Sequence, residues 1–137
     1  MAVSIRRADY FSMRIPNRAG TGAGMLAALK AEGVNLISFS GFPVRGGAQV
    51  DFMPENSRKF RAAANKAGIG IGTRKTVFLM RGEDRVGALT TALGKLAAAR
   101  ISMVAMHAAT AGMGRFGAMF WVKPKDVARA ARLLGAK

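Results

Sequence analysis

Residues 11–20 read FSMRIPNRAG, and residues 78–87 read FLMRGEDRVG. The two stretches carry Phe, Met, two Arg and Gly in the same places, 67 positions apart. The correspondence continues at the same spacing with Leu26 and Leu93, Leu29 and Leu96, Ala31 and Ala98, Val34 and Ile101, and Ile37 and Val104. An internal repeat of this length indicates two copies of one structural unit. We predict an N-terminal extension at residues 1–8, one repeat at 9–73 and a second at 74–137.

The hydrophobic pattern of the first repeat changes between strand and helix periods. Tyr10–Ile15 alternates as a strand does, whereas Leu26 and Leu29 lie on a helical stripe. Gly33 is suited to ending that helix. The pattern predicts, in order, a strand at Tyr10–Ile15, a helix at Ala23–Glu32, strands at Val34–Val44 and Gln49–Met53, a helix opened by Pro54, and a short strand at Ile69–Ile71.

The second repeat follows the same order but ends at Lys137 before a fourth strand. Its first strand is apolar on both faces, since Val77 and Leu79 alternate with Phe78 and Met80. The order β-α-β-β-α-β is that of the ferredoxin-like fold, an α+β class with antiparallel sheets. We therefore predict two tandem ferredoxin-like βαββαβ repeats. We expect either Val3–Arg6 or a partner chain to cover the open edge of the second.

The residue content argues against catalysis. The chain has no Cys, which excludes thiolate nucleophiles and cysteine-bound metals. The one histidine, His107, lies in a predicted strand without a nearby carboxylate motif. Gly20–Gly24 lacks the Lys-Ser/Thr ending of a phosphate-binding loop. We predict a protein without enzymatic activity, without a cofactor and without a metal site.

The charge is strongly positive. There are 22 Lys and Arg against 7 Asp and Glu, a net charge of +15. This excess favours anionic partners, but scattered surface charge accounts for it equally well. The chain has neither a signal-peptide pattern nor an apolar run of the roughly 20 residues that a membrane span needs. The expected location is the cytoplasm.

The loop after the first strand of each repeat is a candidate binding site. Both loops, Asn17–Gly20 and Asp84–Gly87, place an Arg second and a Gly last, just before a helix. Glycine permits close approach of a ligand to the backbone, and a helix N-terminus attracts carboxylates. The structural alternative is that Asn17 and Asp84 are simply helix caps.

These residues also resemble a known family. Asn17-x-x-Gly20, followed by Gly33-Val34-Asn35-Leu36-Ile37 at the start of the second strand, is similar to the ligand motif of ACT domains. The resemblance occurs once in each repeat, and the two copies together cover nearly the whole chain. It implies a regulatory protein with tandem ACT-like domains that binds an amino acid or another small carboxylate.

The resemblance also implies which residues contact the ligand. Residues of the first repeat are Asn17, Arg18, Ala19, Gly20, Asn35 and Leu36, and those of the second are Asp84, Arg85, Val86, Gly87, Ser102 and Met103. Ala19 and Val86 replace the usual Pro, and Ser102 replaces the Asn, which makes the second repeat the weaker site. The ligand is expected between the repeats or across a subunit boundary, in a homodimer.

RNA binding is the alternative function. The RNA recognition motif has the same element order and uses aromatic side chains on its central strands. Arg115–Val122 and Val77–Leu79 loosely match its two strand motifs. This function requires outward-facing aromatics on which bases stack.

Overall fold

The computed structural model describes residues 3–137, which divide into two compact units. We call residues 9–75 the first unit, and residues 3–8 together with 76–137 the second unit. The boundaries of the two repeats, at 9–73 and 74–137, stay predictions.

The first unit has one antiparallel sheet and two helices. Its strands are the later part of β1 (Ser4–Ile15), β2 (Leu36–Val44) and β3 (Gly47–Pro54), in the order β2-β3-β1. Its helices are α1 (Thr21–Ala31) and α2 (Ser57–Lys66).

The core of the first unit is built around three aromatic rings. Phe11, Phe52 and Phe60 are fully buried, and Phe60 lies 5.1 Å from Phe11 and 5.2 Å from Phe52 between ring centroids. Met25 and Leu29 add the buried stripe of α1 to this core. The predicted stripe of α1 is therefore only partly correct, since Leu29 is buried but Leu26 is exposed and Met25 lies in the core instead.

Two predicted elements of the first unit are wrong. Pro54 ends β3 instead of opening a helix, because Asn56 caps α2 by accepting a 3.0 Å hydrogen bond from the Lys59 N–H. Residues 69–71 are irregular and not a strand, although Ile69 and Ile71 pack against the core. Glycine alternates with isoleucine in this segment, and glycine disfavours regular strands.

The second unit repeats the architecture. Its elements are β4 (Lys75–Glu83), α3 (Thr90–Ala98), β5 (Met103–Thr110), β6 (Arg115–Val122), a 3₁₀ turn at Pro124–Asp126 and α4 (Val127–Leu134). The strand order is β1-β4-β6-β5, with β6 antiparallel to both β4 and β5. The predicted α+β class with ferredoxin-like antiparallel units is confirmed.

The N-terminal segment completes the second unit. The first part of β1 belongs to this unit and β1 is the neighbour of β4. Val3 and Ile5 pack with Met80 and Phe116 in a buried cluster. Of the two expected candidates for the open edge, Val3–Arg6 and a partner chain, the structure places the N-terminal segment there. Among the described residues, no helix is long and apolar enough to cross a membrane.

A polar cluster lies on the sheet of the first unit around Asp51. Its Oδ1 accepts hydrogen bonds from the Ser12 hydroxyl at 2.7 Å and from the Gln49 amide at 3.0 Å. Burial raises the pKa of the nearby Tyr10 hydroxyl, and the negative charge of Asp51 raises it further. Both causes disfavour the phenolate.

Removing the apolar side chain of Ile5 is expected to destabilise the second unit. Ile5→Ala should lower the free energy of unfolding by about 1–3 kcal/mol, because Ile5 is half-buried and contacts both core clusters of that unit. Ser4→Ala, at an exposed neighbouring position, is the matched control. Denaturant titration measures both, and equal unfolding midpoints for the two variants would mean that the N-terminal segment is not part of the fold.

The single tyrosine provides a pH test of the first unit. Ultraviolet titration should show Tyr10 ionising above its ordinary pKa of 10.0. Because the pKa is raised in the folded state, ionisation of Tyr10 leaves the free energy of unfolding unchanged below the unfolded pKa. That free energy then falls as the pH rises towards the folded pKa. Asp51→Asn should lower the raised pKa of Tyr10 part of the way towards its ordinary value. An ordinary pKa in the native protein would contradict the burial of this hydroxyl.

Candidate functional site

The first candidate loop forms a tight entry into α1. The Arg18 N–H donates to the Pro16 carbonyl at 2.9 Å, and the Thr21 N–H donates to the Arg18 carbonyl at 3.3 Å. Gly20 is the N-cap residue, with φ of 91° and open space where a Cβ would be. The glycine is therefore required by its backbone conformation, since L side chains are strained at this φ. All four residues of Asn17–Gly20 are exposed.

The second candidate loop has a longer turn. The Asp84 N–H donates to the Gly114 carbonyl at 2.9 Å, which ties the loop to the start of β6. The Ala88 and Thr90 N–H groups then donate to the Arg85 and Gly87 carbonyls at 3.2 and 3.0 Å. Because these bonds span three residues each, regular α-helix begins only at Thr90.

Helix capping does not explain Asn17 or Asp84. The N-cap positions of α1 and α3 are Gly20 and Leu89, neither of which has a side-chain acceptor. Asn56, which does cap its helix, shows what such a contact looks like in this chain. Asn17 and Asp84, which open the two loops, are therefore not helix-capping residues.

The second part of the predicted motif lies away from the loops within each unit. Asn35 lies beyond the far end of α1 from Asn17, and an 11-residue helix is about 16 Å long. The Asn35 side-chain amide donates to Glu55 Oε2 at 3.2 Å, and the Glu55 N–H donates to the Asn35 carbonyl at 3.0 Å. Asn35 thus has a structural role that joins the start of β2 to the end of β3.

The matching positions follow the same geometry. Leu36 is the first residue of β2 and pairs with Pro54, while Met103 begins β5 and pairs with Val122. Ser102 is exposed just before β5. The structure therefore does not bring the two parts of the motif together inside a single unit.

A cleft of about 270 Å³ lies beside the second loop, inside the second unit. Arg85 and Gly87 of the predicted site line it. The other lining residues belong to the N-terminal segment, to α3 and the turn before it, and to α4, and were not identified from the sequence: Val3, Ile5, Ala88, Thr91, Ala92, Lys95 and Leu134. The sequence comparison of the repeats contained a usable signal, since a buried methionine of α1, Met25, aligns with Ala92.

The aromatic residues that suggested RNA binding face the core. Phe78, Phe116 and Phe120 are buried, and the rings of Phe78 and Phe120 stack on each other with centroids 5.1 Å apart. Buried rings cannot stack on bases. The burial of Phe78, Phe116 and Phe120 therefore counts against the alternative of RNA binding.

His107 is exposed on β5 and lies edge-on to Trp121, with ring centroids 6.1 Å apart. Across the described part of the chain, no three His, Cys, Asp or Glu side chains are grouped closely enough to hold a metal ion.

Comparison with known proteins finds similarity of structure. No family model matches the chain, and no curated protein matches it in sequence. The solved structure of protein BT0572 from Bacteroides thetaiotaomicron matches with a TM-score of 0.76 and 15% identity, over 97% of this chain and 88% of that one.

Two further solved structures match along almost the full chain. The ligand-free regulatory subunit of aspartate kinase from Thermus thermophilus has a TM-score of 0.65 and 14% identity, with 98% of this chain and 95% of that chain covered. The aspartokinase alpha and beta subunits give 0.62 and 13%, with 98% and 95% covered. At these identities the similarity is one of fold, and this chain has the fold of a regulatory subunit of aspartate kinase.

Proposed function

We propose that this protein is a non-catalytic regulatory protein that binds a small ligand, an amino acid, through its paired loops. Its fold is shared along nearly the whole chain with regulatory subunits of a kinase. The proposal keeps the ACT-like reading of both repeats and their boundaries at 9–73 and 74–137.

The observation that carries this proposal is the geometry of the Asn17–Gly20 loop. Gly20 turns the chain into α1, so Asn17 is free of the capping role and the loop is exposed. The first N–H groups of a helix have no partners within it and favour a carboxylate. Arg18 adds an exposed positive charge beside them. A polar side chain, backbone donors and a cation suit the carboxylate end of an amino acid.

The position of Asn35 extends the proposal to a homodimer. Asn35 is separated from Asn17 by the length of α1, which exceeds the size of an amino acid. We place the ligand between the Asn17–Gly20 loop of one chain and Asn35 of the partner subunit. Asn35 can both donate and accept, which suits the two charged ends of the ligand. The Asp84–Gly87 loop and Ser102 form the corresponding, weaker site.

The role of Asn35 can be separated from its contact with Glu55. A thermal-shift screen of amino acids identifies the ligand, and calorimetry then measures its affinity. Asn35→Ala should weaken binding by about 1–3 kcal/mol, because a polar partner is left unpaired. Ser102→Ala, at the aligned position of the second repeat, should have a smaller effect.

Glu55→Ala is the matched control for this experiment. It breaks the 3.2 Å hydrogen bond to Asn35 and keeps the asparagine. If Glu55→Ala and Asn35→Ala weaken ligand binding equally, Asn35 acts only by holding the start of β2 through its hydrogen bond to Glu55. If Asn35→Ala binds as tightly as the wild type, the site has been placed wrongly.

Ligand binding should also strengthen dimerisation, since a ligand held by both chains binds only the dimer. Analytical ultracentrifugation with and without the amino acid measures this linkage. A monomer that binds the amino acid with full affinity would refute the shared site.

A further inference from the structure

The 270 Å³ cleft of the second unit has the composition of a binding site for an amphipathic anion. Apolar side chains of Val3 and Ile5 form one wall, and Leu134 of α4 forms another. The helix α3 closes the cleft with Thr91, Ala92 and Lys95, and the turn before it adds Arg85, Gly87 and Ala88.

Two differences between the repeats accompany this space. Ala92 occupies the position that Met25 occupies in the first repeat, 67 residues earlier, and both face the core of their own unit. The methionine packs into the core cluster of the first unit, whereas the methyl group of alanine leaves room beside α3. In addition, α3 starts three residues after Gly87, while α1 starts directly after Gly20. The second repeat therefore has an alanine beside its cleft where the first has a methionine in its core.

The charges around the cleft select the sign of an occupant. Arg85 and Lys95 both line it, and the nine lining residues, all in the described part of the chain, include no acid. The second unit as a whole carries twelve of the 22 basic residues and three of the seven acidic ones. Such a field attracts a carboxylate and repels an ammonium group.

The volume limits the size of the occupant. The cleft has a volume of about 270 Å³. This is below the roughly 300–1,000 Å³ typical of pockets for drug-sized ligands. A short branched hydrocarbon chain with one charged end matches the apolar walls, the two cations and the volume together.

We propose that this cleft binds a short aliphatic monocarboxylate without an amino group. Arg85 and Lys95 hold the carboxylate by charge-assisted hydrogen bonds, and the hydrocarbon chain lies against Ile5, Ala92 and Leu134. The site is complete within one unit and takes a ligand that is not an amino acid. It shares the Asp84–Gly87 loop with the weaker amino-acid site proposed above, and the two are distinguished by Ala92 and Lys95, which belong only to this cleft.

Isovalerate and L-valine provide a matched pair of probes, because they differ only by the ammonium group. Calorimetry on the full chain should show isovalerate binding at least tenfold more tightly than L-valine to this site. Ala92→Met, which installs the residue of the first repeat, should weaken isovalerate at least tenfold. Arg85→Gln and Lys95→Gln should each weaken it about fivefold or more.

The controls distinguish a specific site from general attraction to a basic surface. Ala97→Met adds the same side chain at an exposed position of α3, and Arg132→Gln removes a charge from the exposed face of α4. Both should retain affinity within twofold. Thermal unfolding checks that Ala92→Met is folded, and if it is not, the exposed Lys95→Gln variant decides the test.

Three results would overturn the proposal. These are undetectable binding of isovalerate at millimolar concentration, unchanged affinity in a folded Ala92→Met variant, and equal losses in Lys95→Gln and Arg132→Gln.

Discussion

The pairing of the N-terminal strand with β4 is the contact on which the second unit depends. An exposed strand edge leaves backbone groups without partners and invites association with other chains. A unit of about 65 residues also has little core to spare. The approach of the N-terminal strand is close, since a Cβ on Gly82 would lie 3.1 Å from the Val3 side chain. The same contact carries Val3 and Ile5 beneath α3 and α4, where they become walls of the cleft. The N-terminal segment therefore both completes the sheet and forms a wall of the cleft.

Duplication gives this chain two copies of a scaffold that differ at a few positions. Leu29 and Leu96 keep the helix buried in both units. Met25 and Ala92 differ in size. A smaller buried side chain lowers the free energy of unfolding by an amount that grows with the space it leaves. A cavity next to basic residues is useful only if something fills it. This contrast is the reason why the carboxylate site is proposed in the second unit.

Most of the fold could be predicted because it is encoded in periodicity. The repeat and the strands around Phe11 and Phe78 followed from spacing, whereas the missing last strand left two candidates for the open edge. The errors arose where local chemistry outweighs pattern. Asn56 displaced the start of α2 from Pro54, and alternating glycines left 69–71 irregular. The burial of Phe116 could be decided only once it was known which face of the sheet the helices cover.

The candidate site was less accessible to sequence reasoning. The sequence identified the two loops. It did not reveal the cleft beside the second loop, because residues from several elements form that cleft. Lys95 and Leu134 reach the cleft from different helices, and Asn35 is held by Glu55 from another strand. Such contacts join residues far apart in the chain, so spacing alone does not predict them.

The proposed function, small-molecule binding as opposed to RNA binding, is tested most directly by mapping backbone amide chemical shifts. The labelled protein is titrated separately with an amino-acid mixture and with a short RNA. The account predicts saturable changes concentrated at Asn17–Gly20 and around Asn35 with the amino acids. It predicts only weak, salt-sensitive changes with RNA. No response to any amino acid, together with strong saturable shifts on adding RNA, would contradict it.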